Sequence, residues 1–183
     1  MLVLLIMIVV QVILLALLGY LSLYFLSMMV SDLFGVPFVP TSNRVLDNIF
    51  KYVKLNKNDL FFDLGSGDGR LVYYVAEKFK LKRAVGIELN PLLVTFAKLK
   101  AKFLKRNNVE FYRQNIFDTD FAQAKIIYMF LFPEVVEKLK DKILRDCKKG
   151  TLIISHGFKI DGLKEKIYLE TRSRPFSTYY YQL

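Results

Sequence analysis

A glycine-rich turn between an apolar run and a helix constrains the fold of this chain most strongly. The segment Phe61–Arg70 (FFDLGSGDGR) begins as a strand, ends that strand at Asp63 and then turns through three glycines. A helix pattern follows over about 69–79, and a second strand, about 84–88, closes at Glu88. A strand, a glycine turn, a helix and an acid at the end of the next strand together predict a nucleotide-type cofactor site.

The spacing of the glycines selects among cofactors. A dinucleotide fingerprint that starts at Gly65 needs a glycine at position 70, which is Arg70, and the third glycine is Gly69. Asp63 can face the ammonium of a methionine-like tail, and Glu88 can accept hydrogen bonds from both hydroxyls of a ribose. The pattern is typical of S-adenosylmethionine-dependent methyltransferases. A NAD site and a purely structural glycine turn are the alternatives.

The first thirty residues form a separate segment. From Met1 to Val30 there is no charged side chain, so all 27 Lys+Arg and all 17 Asp+Glu follow it. A helix of this length would extend roughly 40 Å, which exceeds the hydrocarbon core of a bilayer. A cleaved signal peptide needs a basic segment before a shorter apolar run, and a core helix that is apolar all round rarely fits so small a domain. We therefore expect residues 1–30 to be a transmembrane anchor.

The charges after this segment predict its orientation. The first basic residues are Arg44, Lys51, Lys54 and Lys57, and the positive-inside rule then places the C-terminal domain in the cytoplasm of a single-pass membrane protein. The net charge of +10 is compatible with contact to anionic lipid headgroups, nucleic acid or an acidic protein. The alternative is that these lysines form an ordinary solvated surface.

The numbers of cysteine and histidine residues limit the metal sites and the thiol chemistry that this chain can support. Cys147 is the only cysteine and His156 the only histidine. An intrachain disulfide is excluded, and so is any site that needs several histidines or cysteines. We expect no metal, and we expect Cys147 to be a helix-core residue.

The remaining chain predicts one α/β domain. Strands and helices alternate from about residue 59, which favours a Rossmann-like class I methyltransferase fold with a mostly parallel, doubly wound sheet. Residues 31–58 are expected to be a connector and an N-terminal helix over the cofactor site, and residues 59–183 the cofactor-binding domain. The last crossover, 156–164, is too short for a full helix, and two final strands, about 165–170 and 177–182, should close the sheet as a hairpin.

Polar and aromatic residues follow the predicted strands. Ligands bind beyond the carboxyl ends of parallel strands, so side chains at those ends should converge on one crevice. Asn115 can accept from an adenine amine through its amide oxygen, with Ile116 or Phe117 beside the ring. The residues expected in the crevice are Asp63, Glu88, Asn115, Phe132 and His156.

The segment after the fourth predicted strand indicates which kind of molecule accepts the methyl group. Base-amine methyltransferases carry an (N/D)-P-P-(Y/F) tetrad there, whereas residues 131–134 read Leu-Phe-Pro-Glu, and Cys147 lies in a helix pattern, away from a nucleophile position. A nucleic-acid substrate is therefore unfavourable. An aromatic channel suits a lysine side chain, because desolvation favours the neutral amine that attacks and aromatic faces can hold the methylated cation.

The order of five motifs carries a family resemblance. They are Pro37–Thr41 (PFVPT), Asp63–Arg70 (DLGSGDGR), Val85–Pro91 (VGIELNP), Phe130–Pro133 (FLFP) and Ser155–Phe158 (SHGF). The set resembles the seven-β-strand protein-lysine methyltransferases, which include small archaeal enzymes and the membrane-anchored mitochondrial enzymes acting on ATP synthase c-subunit and the adenine nucleotide translocase. It covers roughly residues 36–160.

The resemblance implies a set of site residues. Pro40 and Thr41 would fold over the methionine end of S-adenosylmethionine, and Phe38, Phe132 and His156 are candidates for lining the acceptor channel, with no catalytic residue assigned. Asn115 stands where the family commonly has an acid. The predicted cofactor-binding residues are Pro40, Thr41, Asp63, Gly65, Ser66, Gly67, Glu88, Leu89, Asn115 and Ile116.

The sequence therefore predicts a membrane-anchored, S-adenosylmethionine-dependent protein-lysine N-methyltransferase that acts on membrane or membrane-proximal proteins. Two alternatives remain open. One is methylation of a small or lipid-like molecule delivered from the bilayer. The other is a non-catalytic S-adenosylmethionine-binding membrane module.

Overall fold

A computed structural model describes residues 1–33, 41–172 and 175–183 of the chain. The chain consists of two compact units, residues 1–38 and residues 39–183. The first contains one helix, α1 (Leu2–Leu33), whose stretch Leu2–Leu26 has a mean hydropathy of 3.2. By length and composition this stretch can cross a membrane, since 25 residues of helix extend about 37 Å.

The second unit alternates strands with helices, as the sequence predicts. Two short 3-10 turns, Ile116–Asp118 and Asp161–Lys166, interrupt this alternation. The second of them occupies the abbreviated last crossover. The helices and strands are α2 (Asn43–Phe50), β1 (Leu60–Leu64), α3 (Arg70–Lys78), β2 (Arg83–Glu88), α4 (Pro91–Phe103), β3 (Val109–Arg113), β4 (Ile126–Met129), α5 (Pro133–Asp146), β5 (Leu152–His156), β6 (Ile167–Arg172) and β7 (Ser177–Gln182).

The strands form one seven-stranded sheet in the order β3-β2-β1-β4-β5-β7-β6. The first five strands in this order are parallel, while β7 runs antiparallel to both β5 and β6. The chain winds outward from β1 in both directions, so the switch point lies between β1 and β4. The predicted mostly parallel, doubly wound sheet and its closing hairpin are confirmed.

Side chains that alternate along each strand supply two hydrophobic cores. Phe61 of β1 packs with α2, α3 and α4 on one face of the sheet, and its neighbour Phe62 packs with α5 on the other. This alternation follows from the two-residue period of a strand, and it buries the parallel strands on both faces. The carboxyl ends of the parallel strands therefore lie together at one edge of the sheet, where the candidate site lies.

Local residues set both ends of α4. It begins at Pro91, because the side chain of Asn90 accepts hydrogen bonds from two N–H groups in the first turn. It ends at Phe103, and Lys105 has a positive φ of 52°. That conformation is incompatible with a continuing right-handed helix.

Candidate active site

The glycine turn folds back on the second strand. The N–H groups of Gly65 and Ser66 both donate to the carbonyl oxygen of Ile87, at 2.9 and 3.0 Å. Gly65, Gly67 and Gly69 have φ angles of +79°, +54° and +77°. These backbone conformations favour glycine, so the three glycines are required by the shape of the turn.

Glu88 ties the end of β2 to this turn. One carboxylate oxygen accepts from the N–H of Gly67 at 2.9 Å, and the other accepts from the N–H groups of Leu89 and Asn90 at 2.8 and 2.9 Å. The carboxylate is held at the mouth of the turn by these three bonds. Each carboxylate oxygen has about two acceptor positions, so one position remains, on the oxygen that accepts from Gly67, for a hydroxyl donor of a ligand.

Asp63 is a buried carboxylate that forms no ion pair with another described residue. Its side chain is 3% exposed, and no hydrogen bond to it occurs within the described residues. Burial raises the pKa of Asp63 well above its ordinary value, and the nearby charges of Glu88 and Asp68 raise it further. An ammonium group would relieve both effects, which makes this position suitable for the amino-acid end of a cofactor.

Close packing around the turn leaves room for backbone and little else. A Cβ on Gly86 would lie 2.6 Å from Ser66 Oγ, and a Cβ on Gly65 would lie 2.7 Å from Leu131 Cδ2. The hydroxyl of Ser66 is buried without a hydrogen-bond partner among the described residues. The Ser66 hydroxyl and the buried Asp63 carboxylate, beside a bare glycine turn, fit the donors and acceptors of S-adenosylmethionine.

Asn115 and Ile116 follow β3, one strand further from the switch point. The amide oxygen of Asn115 accepts from the N–H of Phe117 at 3.0 Å and caps the first 3-10 turn. Its second acceptor position and its amide donors face no described partner, and the residue is exposed. Ile116 packs into the hydrophobic core on the α5 face. The adenine assignment for both residues stays a prediction.

An aromatic cluster surrounds His156 at the ends of β4 and β5. The His156 ring lies 4.8 Å from the ring of Phe130 and 5.8 Å from that of Phe176, measured between centroids. Its Nδ1 forms a 2.8 Å hydrogen bond with the hydroxyl of Thr178. Burial lowers the pKa of His156 to about 4, so the ring is neutral at physiological pH.

The other residues predicted near the acceptor and the methionine end of the cofactor lie outside this aromatic cluster or outside the described residues. Phe132 precedes α5 and is 41% exposed, with no ring contact to the cluster among the described residues. Phe38 and Pro40 fall outside the described residues. Thr41 lies near Tyr128, whose pKa is raised by burial and by Asp63 and lowered in part by Thr41. The structure thus places Thr41 near β4, at the residue that pairs in register with the buried acid Asp63 of β1.

Two residues near the site escaped the sequence reasoning. Tyr128 pairs in register with Asp63, and its hydroxyl is buried. Phe176 reaches the cluster because β7 runs antiparallel to β5, with His156 opposite Thr178. The sequence offered no signal for either position, since both depend on which strands are neighbours.

Two features of the described residues concern metal binding and thiol chemistry. Groups of three or more potential metal ligands are absent from it. Cys147 is half-buried after α5, and burial raises the pKa of its thiol to about 11. A thiol with that pKa is protonated at neutral pH and is a poor nucleophile.

The sheet order, the glycine turn and the acid after β2 define a class I S-adenosylmethionine-dependent methyltransferase. Residues 63–167 match the model of the ANTKMT methyltransferase domain, and the chain belongs to that family. The family resemblance read from the motifs is thereby confirmed.

Individual relatives extend this similarity. A protein-lysine N-methyltransferase of Saccharolobus islandicus is 34% identical over 152 residues, which cover 80% of this chain and 92% of the relative. The human lysine N-methyltransferase of the ATP synthase c-subunit is 31% identical to this chain. The aligned part covers 67% of this chain and 52% of the human protein. The chain therefore spans about half the length of that relative.

A solved structure supports the cofactor. An RNA methyltransferase from Salinibacter ruber, in complex with S-adenosyl-L-homocysteine, superposes with a TM-score of 0.72 at 30% identity, over 79% of this chain and 93% of that one. S-adenosylhomocysteine is the product form of S-adenosylmethionine, which is the cofactor of this fold.

Proposed function

We propose that this protein is an S-adenosylmethionine-dependent protein-lysine N-methyltransferase whose domain is held at a membrane by α1. The observation that carries the proposal is the 34% identity to the archaeal protein-lysine N-methyltransferase over nearly its whole length. The similarity covers 92% of that relative, so nearly the whole of its length is represented here.

The cofactor residues follow from the site geometry. S-adenosylmethionine, when bound, supplies an electrophilic methyl group on a sulfonium. We assign Asp63 to its ammonium group and Glu88 to a ribose hydroxyl, because the first is a buried acid with a raised pKa and the second is fixed at the mouth of the glycine turn. Gly65, Ser66 and Gly67 would let the ligand approach the backbone, with Thr41 and Leu89 at the margins.

The acceptor side suits an uncharged amine. A lysine must lose its proton before it attacks, and its ordinary pKa is about 10.4. The aromatic cluster of Phe130, His156 and Phe176 contains a neutral imidazole and no carboxylate, so it favours the neutral amine. These rings would orient the amine and exclude water, and the remaining requirement is alignment with the methyl group.

The location follows from α1 and the charges after it. The exposed, uncharged stretch Leu2–Leu26 is the proposed single membrane span, and the basic residues after it support a cytoplasmic domain under the positive-inside rule. Substrate lysines would then belong to membrane proteins or to proteins at the membrane surface.

Transfer of labelled methyl groups tests the activity. Full-length protein in detergent or vesicles is incubated with methyl-labelled S-adenosylmethionine and separated cell fractions, and labelled products are hydrolysed. Methylated lysine in discrete protein bands is the expected result. The Glu88→Ala variant should bind the cofactor about 1–3 kcal/mol more weakly, since its hydroxyl partners lose their acceptor. The matched control is Glu170→Ala on β6, which should bind normally.

Other outcomes separate the rival functions. Label in the organic phase of a lipid extraction, with none in protein, would replace the lysine proposal with a small-molecule or lipid methyltransferase. Label in RNA would favour the activity named for the Salinibacter ruber structure. Tight cofactor binding with no transfer to any fraction would favour a non-catalytic binding module.

A further inference from the structure

The outer face of α4 carries an apolar stripe that the fold leaves uncovered. Its members are spaced by four, three and four residues, so they lie on one face of the helix over about 16 Å. Their side chains are 38 to 86% exposed. The stripe consists of Leu92, Phe96, Leu99 and Phe103.

This stripe is separate from the residues that attach α4 to the sheet. Leu93, Val94 and Ala97 are buried and point toward the domain, about opposite to the stripe. Leu89, just before the helix, is also 41% exposed and continues the apolar surface toward Glu88. Large apolar side chains grouped in this way on a surface mark a contact with a partner.

Positive charge borders the stripe. The segment 91–109 contains five basic side chains and no acidic one. Within the described residues, Lys98, Lys102 and Lys105 form no ion pair, whereas Arg106 pairs with Glu77. An apolar face between lysines is the arrangement of a helix that lies in a membrane interface, with its lysines directed to anionic headgroups.

We propose that the stripe of α4 docks into the surface of an anionic lipid bilayer and holds the domain against it. The inference rests on the membrane attachment proposed above. A second copy of the chain is a poorer occupant, because a two-fold contact through this stripe would bring the lysines of both copies together. Docking would set Glu88, which lies at the mouth of the glycine turn three residues before α4, close to the headgroups.

A single introduced tryptophan can test the contact, because the chain contains none. The full chain with Phe96→Trp is reconstituted in vesicles of phosphatidylcholine with phosphatidylserine, with and without bromine on the lipid chains. The matched control is Tyr168→Trp. Tyr168 is 52% exposed on β6, at the opposite edge of the sheet from β3, beside which α4 packs.

Docking predicts a blue-shifted emission at position 96 and about twofold quenching by brominated lipid, as expected for a ring buried 5–10 Å below the headgroups. The tryptophan at position 168 should be unquenched. Replacing Lys98 and Lys102 with glutamine should weaken docking by about fivefold for each lysine. Unquenched emission at position 96, in protein that floats with the vesicles, would overturn docking while leaving the anchor intact.

The remaining outcomes are also decisive. Protein that fails to float would refute the membrane anchor and the docking together, whereas lysine methylation of substrate would be unaffected. A blue shift that occurs without vesicles, with crosslinks between copies through α4, would assign the stripe to a dimer and refute lipid docking. Equal quenching at positions 96 and 168 would mean that the domain has no preferred face toward the bilayer, which also refutes it.

Discussion

Replacing Asp63 with asparagine should stabilise the empty protein and weaken its cofactor binding in the same step. In the folded chain the Asp63 carboxyl is buried, lacks a hydrogen bond within the described residues and faces Glu88 and Asp68. Asparagine has nearly the same shape without the charge. We expect the ligand-free variant to gain about 1–3 kcal/mol in free energy of unfolding at pH 8.

The pH dependence has a defined sign. The folded-state pKa of Asp63 is raised above its unfolded value of 3.8, so the folded protein binds the proton more tightly. The contribution of Asp63 to the free energy of unfolding of the wild type is therefore greatest below pH 3.8. It is lost as the pH rises through the folded-state pKa. The stability difference between Asp63→Asn and wild type should be absent near pH 3.5 and largest at pH 8.

Cofactor binding should offset most or all of the stability advantage of the variant. A charged hydrogen bond contributes about 1.5–3 kcal/mol, and a loss of 2 kcal/mol is about a 30-fold weaker Kd. At a concentration of 100 times the wild-type Kd, ligand stabilises wild type by about 2.7 kcal/mol and this variant by only about 0.9 kcal/mol. The melting curves of the two proteins should therefore approach each other or cross when cofactor is added.

Thermal unfolding of the full chain in detergent, with and without S-adenosylmethionine, measures both effects. For a domain of this size about 3 °C in Tm corresponds to 1 kcal/mol. The matched control is Asp47→Asn, because hydrogen bonds from Tyr74 and Lys78 lower the pKa of that exposed acid. It should leave cofactor binding unchanged and should not raise Tm. If Asp63→Asn lowers the ligand-free Tm, or leaves cofactor affinity intact, the reasoning about Asp63 is refuted.

Three further perturbations test the surroundings of the site. Gly86→Ala places a Cβ 2.6 Å from Ser66 Oγ and should cost about 1–3 kcal/mol in thermal unfolding, whereas Gly19→Ala in α1, where nothing lies within 4 Å, should not. His156 has a pKa of about 4 against 6.5 when unfolded, so its unfolded form takes up the proton first. Stability should therefore fall by about 3 kcal/mol between pH 6.5 and 4 in denaturant titrations, and His156→Gln should flatten this slope. Asn115→Asp should tighten S-adenosylmethionine binding about two- to tenfold by calorimetry, because a charged acceptor is stronger, and an unchanged Kd would remove residue 115 from the adenine site.

Local patterns in the sequence determined the elements and the cofactor. Alternating apolar segments predicted the strands and helices in their order, and the glycines with Asp63 and Glu88 predicted the turn and its ligand. These features are local, because turn shape, helix caps and strand periodicity are set by a few consecutive residues. The uncharged first thirty residues predicted the single helix α1 in the same way.

Only the tertiary structure decided which residues meet across strands. The placing of Phe176 against His156 depends on β7 inserting antiparallel next to β5, and the burial of Tyr128 beside Asp63 depends on β4 lying next to β1. Strand order and register are set by contacts between residues far apart in the chain, which no local pattern encodes. For the same reason the face that α4 leaves uncovered became visible only when its buried side was known, since the apolar residues of that helix cover more than one face.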